Sequence, residues 1–154
     1  MNLAQLLVRA ARVHPDRPAV LHGERLLWRY RELADRVARL ARHLRALGLA
    51  PGDRVALLMK NHPSYLEALY ATWWAGLGAV PINARLHPEE VAYIVEHSEA
   101  AATIVTDDLA ESVGPLSGRV RATLVVGTPA YEAALGCAPI AAEARAPNDL
   151  AWLF

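Results

Sequence analysis

Gly52 to Leu86, GDRVALLMKNHPSYLEALYATWWAGLGAVPINARL, carries the pattern that decides the fold. Arg54-Val-Ala-Leu-Leu-Met59 is a short apolar run bounded by turn residues. A strand covered on both faces has this character, because neither set of alternating side chains meets water. Pro63 and Ser64 then open a helix. Pro63 suits the first helical position, where a missing N–H costs nothing; alternatively Ser64 and Glu67 form a capping box. Leu66, Leu69, Tyr70, Trp73 and Leu77 recur as an apolar stripe, widened by Trp74. Gly76 and Gly78 close the helix, since glycine accepts the left-handed conformation at a helix end. Ala79-Val-Pro-Ile82 is extended again. Strand, helix and strand in that order make a parallel βαβ unit.

The rhythm continues on both sides. Leu3, Leu6, Leu7, Ala10 and Val13 have helical spacing, with Asn2 placed to cap them, and His14-Pro15 stops that helix. Ala19–His22 and Arg25–Trp28 flank Gly23-Glu24 as a small hairpin. Tyr30 to Leu47 is the strongest helix, with Tyr30, Leu33, Ala34, Val37, Leu40, Ala41, Leu44 and Leu47 on one face. Its Arg row, Arg31, Arg36, Arg39, Arg42 and Arg45, reads as a solvated face. Glu32–Arg36 and Asp35–Arg39 are four apart in the favoured polarity. Downstream, Pro88 opens a helix with Glu89 and Glu90 in its first turn, favourable to the dipole, and Val91, Ile94 and Val95 inward. Thr103–Thr106 and Ala122–Val126 read as strands, separated by a short helical or irregular piece over Leu109–Leu116. Residues 127–148 read as a loop-rich connector with one helical turn around Tyr131–Leu135. Asp149–Phe154 starts another strand. The fold class is α/β: a mostly parallel sheet of βαβ units flanked by helices, with a small N-terminal β-hairpin.

Composition narrows the function classes. The chain has 154 residues, 54% of them hydrophobic, and a formal net charge of zero. That content excludes a disordered chain, and the charge balance gives no bulk attraction to nucleic acid or an anionic membrane. Lys60 is the only lysine, and Cys137 the only cysteine, so no intrachain disulfide forms and a reducing, cytoplasmic setting is expected. The N-terminus lacks the apolar core of a secretion signal. The longest uncharged run, Ala68–Ala84, is interrupted by Gly76, Gly78 and Pro81 and falls short of a membrane span.

Several cues in order add a family resemblance. G-D-R-V-A from Gly52, N-x-P from Asn61, A-G-x-G-A-V-P from Ala75 and I-N-x-R-L-x-P-E-E from Ile82 resemble the N-terminal part of adenylate-forming enzymes, the acyl-CoA synthetases with luciferases and peptide-synthetase adenylation domains as relatives. The resemblance runs from about Leu3 to Phe154. It implies a parent acid–CoA ligase using ATP, magnesium and CoA: a carboxylic-acid substrate and ATP give an acyl-adenylate and pyrophosphate, and CoA then takes the acyl group, releasing AMP. In the family the Asp149–Phe154 strand runs into a Gly- and Ser/Thr-rich phosphate loop. Residues 1–154 are therefore expected to be one partial domain, cut before that loop and without the C-terminal domain, and inactive alone. No cofactor is expected to bind the piece tightly. The alternatives are an adenylation or luciferase-like relative, or a stand-alone binding module, and an apolar surface around Leu150–Phe154 invites homo-oligomers. The acid itself is not legible here.

Individual site signals are sparse. Gly76-Leu-Gly78 follows a helix and lacks a third glycine, so it is no dinucleotide fingerprint. The six histidines lack metal-ligand spacing, and no G-x-S-x-G elbow occurs. No catalytic or metal residue is assigned. His62 and His87 precede prolines and suit loop or capping roles. By the resemblance, Arg85 in N-A-R-L matches an Arg near the CoA phosphates in some relatives, and a guanidinium on a loop leaving a parallel strand can grip phosphate with two donors. Arg29 stands where the family commonly has a capping Thr or Ser, so Arg29→Thr is expected to stabilise the long helix by about 1 kcal/mol.

Overall fold

The computed structural model describes residues 1–154. In chain order the elements are α1 (Gln5–Val13), β1 (Pro18–His22), β2 (Arg25–Arg29), α2 (Tyr30–Ala46), β3 (Arg54–Leu58), α3 (Ser64–Trp74), β4 (Gly78–Ile82), α4 (Pro88–His97), β5 (Ala100–Thr106), a 3₁₀ helix (Asp107–Leu116), β6 (Ala122–Val126) and α5 (Pro129–Leu135). β1 and β2 pair antiparallel as the small hairpin. The other four strands form one parallel sheet in the order β4-β3-β5-β6. The chain therefore enters at β3, steps outward to β4, then crosses back to β5 on the other side of β3. That reversal makes the seam between β3 and β5 the switch point of a doubly wound sheet.

Alternation along the strands builds two cores. Val55 and Leu57 of β3, with Ala79, Ile104 and Leu124, face α2, α3 and α5. Ala56 and Leu58, with Val80, Ile82 and Val105, face α4 and the 3₁₀ helix. Residues two apart share a face of a strand, so one apolar run supplies both cores. This is why the strands read as continuous hydrophobic stretches rather than alternating ones.

α3 differs from the single stripe expected for it. Ser64, Glu67, Ala68, Leu69, Ala71, Thr72, Trp73 and Trp74 are all buried, while Leu66 is exposed. The helix lies between the sheet and α2, and the connector covers part of what remains. The Trp74 Nε1–H donates to the Ile140 carbonyl at 2.8 Å, and the Trp73 Nε1–H to that of Ala151 at 2.9 Å. Buried indoles need such partners. The Glu143 N–H donates to the Trp74 carbonyl, which holds the connector against the helix.

Only Gly76 of the two glycines ends α3. Its φ is +79°, its N–H donates to Trp73 O and the Leu77 N–H reaches back to Thr72 O, the paired bonds of a Schellman cap. A Cβ there would approach the Glu143 side chain to 2.7 Å. Gly78 is already the first residue of β4.

Other local expectations change for physical reasons. Leu6 and Val13 of α1 are each 55% exposed, because Leu7 and Ala4 take the buried positions. Ala4, not Asn2, is the N-cap of α1; Asn2 instead ties down the N-terminus, its Oδ1 accepting from the Ala4 N–H while its Nδ2 donates to the carbonyls of Trp73 and Glu143. Asp35–Arg39 forms as expected at 2.7 Å, but Glu32–Arg36 does not. The Glu32 carboxylate instead accepts from the Arg29 N–H, and Arg36 turns inward. α5 is seven residues rather than one turn, started by Thr128 Oγ1 accepting from the Tyr131 N–H. The final strand forms as one bridge, Trp152 beside Ala79, in the parallel sense.

Candidate functional site

Two groups of charged side chains converge. The first is internal. Glu67 of α3 is fully buried, and its carboxylate is hydrogen-bonded to the Arg36 guanidinium of α2 and, at 2.6 Å, to the Tyr131 hydroxyl of α5. Arg36 also lies 4.6 Å from the centre of the Trp28 ring, a cation–π contact. A buried carboxylate is tolerated when paired and hydrogen-bonded, and Glu67 is both. Burial, then the neighbouring Glu67 charge, push the Tyr131 phenol well above its ordinary range. The Glu67 carboxylate is closed off from solvent, while Arg36 keeps 28% of its side chain exposed. The group fastens three helices together, which identifies Glu67 as structural rather than catalytic. The capping box with Ser64 therefore does not form. Instead His62 Nδ1 accepts from the Ser64 N–H at 3.2 Å, and Pro63 already has helical angles of −55° and −38°, as its first-position reading required.

The second group lies on the carboxyl rim of the parallel sheet, where open α/β sheets place their ligands. The last β3–β4 register pair is Leu58 with Ile82, and the last β3–β5 pair from Leu58 is with Val105. Lys60 sits two residues past Leu58 on the central strand. Arg85 sits three past Ile82, and Asp108 three past Val105. The register thus puts Lys60 between Arg85 and Asp108. Its Nζ pairs with Asp108 Oδ2 at 2.8 Å, both side chains being half exposed or more. That hydrogen bond is the main cause holding the Asp108 carboxyl below its ordinary range.

Beside Lys60 an open groove of about 680 Å³ runs between the ends of β3 and β4. Lys60, Asn61 and Tyr65 line one wall, Asn83 and Arg85 the other, and no carboxylate belongs to the lining. Asn83 Oδ1 accepts from the Arg85 N–H at 3.0 Å, bracing the turn that carries the guanidinium. Arg85 is exposed. An ammonium, a guanidinium and two amides suit a phosphate and not a metal. No three His, Cys, Asp or Glu side chains converge anywhere in the chain. His87 serves as the N-cap of α4, its Nδ1 accepting from the Glu89 N–H at 3.4 Å while Glu90 returns the bond to the His87 N–H.

Three members of these groups escaped sequence reasoning. Glu67 lies on one helix face with Ser64, Ala71 and Trp74, at offsets of three, four and seven; a charge inside a buried face was the available signal. Lys60 and Asp108 each stand two residues past the end of an apolar strand, and strand order alone would have brought them together.

The AMP-binding enzyme family matches over residues 7–154. The chain belongs to that family. It is 49% identical over 110 residues to a feruloyl-CoA synthase of Amycolatopsis sp, covering 71% of this chain and 22% of the relative. It is 38% identical to a long-chain-fatty-acid–CoA ligase of Thermus thermophilus, over 99% of this chain and 31% of the relative. Among solved structures, a benzoate CoA ligase from Burkholderia xenovorans superposes with a TM-score of 0.87 at 28% identity, over 99% of this chain and 32% of that one. The chain therefore spans about a fifth to a third of the length of the relatives it matches. The α/β sheet with its small hairpin is the fold those comparisons share. No helix is long and apolar enough to cross a membrane.

Proposed function

We propose that this chain is the N-terminal scaffold of an acid–CoA ligase. The parent reaction joins a carboxylic acid to ATP as an acyl-adenylate, releasing pyrophosphate, and then transfers the acyl group to CoA, releasing AMP. The observation that carries this reading is the family match together with a carboxylate-free, cationic groove on the sheet rim. Within that reaction Arg85 binds a phosphate of CoA, its guanidinium offering paired donors to two oxygens. ATP and CoA supply the leaving group and the acyl acceptor. Magnesium and the groups that stabilise the developing charge are assigned to residues outside this chain. Residues 1–154 form part of a larger domain, with 127–148 as its connector, and the 154-residue chain alone is inactive. ATP–pyrophosphate exchange with a panel of aromatic and fatty acids tests this: exchange above a protein-free blank overturns it. The same chemistry serves an adenylation domain of the peptide-synthetase or luciferase kind, and substituting an amine acceptor for CoA in the complete enzyme separates the two.

A second reading has its own observation. Leu150, Trp152, Leu153 and Phe154 are exposed, Phe154 at 91%. The Trp152 ring packs in a tilted arrangement against Trp73, 5.0 Å between centres, and against Phe154 at 5.7 Å. A continuous apolar edge of this kind favours self-association, consistent with a stand-alone assembly module. Light scattering across a tenfold range of concentration checks it: a mass fixed at that of a monomer removes this reading.

A further inference from the structure

We propose that Lys60 is a second phosphate-binding cation of the rim groove, held by Asp108 when the groove is empty and transferred to a nucleotide phosphate that enters beside Arg85. The inference rests on the assignment of Arg85 to a phosphate and extends it to the residue across the groove.

Three features point to Lys60. The first is position. It follows the central strand at the switch point, with Arg85 beyond one neighbouring strand and Asp108 beyond the other. The second is the asymmetry of its surroundings. Lys60 and Arg85 both line the groove, and the lining contains no carboxylate; the one carboxylate that Lys60 touches, Asp108, lies outside it. Two cations facing one cavity repel each other when it is empty, and Asp108 relieves that by drawing one of them aside. The third is the strength of the restraint. Lys60 is 62% exposed and Asp108 50%. Such a pair contributes little, because water competes for both partners. A phosphate already held by Arg85 competes with Asp108 on favourable terms.

The residue types suit the two tasks. A guanidinium is planar and fixes the direction of the oxygens it grips, whereas an ammonium on a flexible stem carries three donors and can turn between partners. Asn61 and Asn83 add amide groups to the lining, and Tyr65 adds a phenol ring. The ligand class is a nucleotide with more than one phosphate group. CoA and ATP share that chemistry, and the experiment separates them.

Lys60 being the only lysine gives a direct probe. Reductive methylation with ¹³C-formaldehyde labels its amine and the chain's amino terminus and leaves the positive charge in place. The Lys60 ¹³C signal is expected to move saturably when CoA or adenosine 3′,5′-bisphosphate is added, and to move much less with ATP, which lacks the 3′-phosphate. Dissociation constants from unlabelled chain then discriminate the roles. Lys60→Ala is expected to weaken CoA binding about fivefold, and Arg85→Ala by about tenfold, a two-donor contact being the stronger. Asp108→Asn is expected to tighten it about threefold, since a competing carboxylate is gone. If Arg85→Ala weakens binding while Lys60→Ala and Asp108→Asn leave it unchanged, the Lys60 proposal falls and the Arg85 assignment stands. If no variant alters binding, or none is measurable at millimolar CoA, both fall. A larger response to ATP than to CoA overturns the ligand named here. Thermal melts of the three exposed-site variants, expected to match the parent chain, exclude misfolding as the cause.

Discussion

Glu67 and Lys60 are seven residues apart, one inside the first turns of α3 and the other just before it, and they use charge in opposite ways. Glu67 is fully buried, with its two oxygens taken by Arg36 and Tyr131. Lys60 is mostly exposed, with one partner and donors to spare. A closed set of polar groups costs desolvation once, on folding, and then resists change because every alternative leaves a buried group unpaired. An open pair costs little and gives little, so its partners stay exchangeable. The difference separates what holds this fold from what it can offer to a ligand, and it predicts different responses to substitution.

The largest response is expected at Glu67. Replacing it with Ala leaves the Arg36 guanidinium facing a cavity and removes the acceptor of Tyr131, a loss of about 3 kcal/mol by analogy with broken buried ion pairs. For a chain of this size that lowers Tm on the order of 10 °C. Glu67→Gln, which keeps an acceptor for Tyr131, should lose less. A melt of Glu67→Ala within a degree or two of the parent chain would dissolve the contrast with Lys60, because the buried group would then also be dispensable.

Tyr131→Phe comes next, at about 1 to 2 kcal/mol, since one oxygen of Glu67 is left short of a donor. The same residue gives a pH test. Its phenol titrates higher in the folded chain than the ordinary value of 10.0, so folding disfavours the phenolate. The unfolded chain releases that proton first as pH rises. The contribution is therefore complete below pH 10 and is lost progressively above it. Tyr65 and Tyr70 are raised as well, by burial, so the parent chain should lose Tm steadily in alkali and Tyr131→Phe should lose it less steeply. Equal slopes would mean that Tyr131 is solvated.

The sheet was legible in the sequence for the reason that made Glu67 illegible. Strands such as Val55–Leu58 and Ile104–Val105 are apolar at every position, and that pattern survives any detail of packing. The glycine at position 76 and the prolines at 63 and 88 fixed helix ends through backbone geometry alone. Glu67 was read from local spacing to Ser64, which ignores that α3 is buried on nearly all sides. Long-range burial decided against the local cap, and His62 took over the capping. The rim was half legible: Arg85 stood out through the family resemblance, while Lys60 and Asp108 become neighbours only once β5 is known to lie on the other side of β3 from β4.

Arg29 is the intermediate case. Its side chain has no acceptor for the orphan N–H groups of α2, so only the Glu32 half of the capping box forms. The guanidinium donates instead to the Asp16 carbonyl, a contact that Thr would give up. Arg29→Thr is therefore expected to stabilise by about 0.5 kcal/mol, half the gain the cap alone would bring. Loss of stability would show that the Asp16 contact outweighs a helix cap.

The smallest effect is the most telling. Lys60→Ala removes the ion pair with Asp108, yet Tm should stay within about 2 °C of the parent, as exposed pairs contribute little. The apolar stem of a lysine often packs along a surface, so Lys60→Met is the companion variant. If Ala destabilises and Met does not, packing is the cause and the charge remains available for another partner. If both destabilise by several degrees, the ammonium itself is needed for the fold. Lys60 would then be bound as firmly as Arg36, and the distinction between a closed polar core and an open cationic rim would fail at the residue on which it most depends.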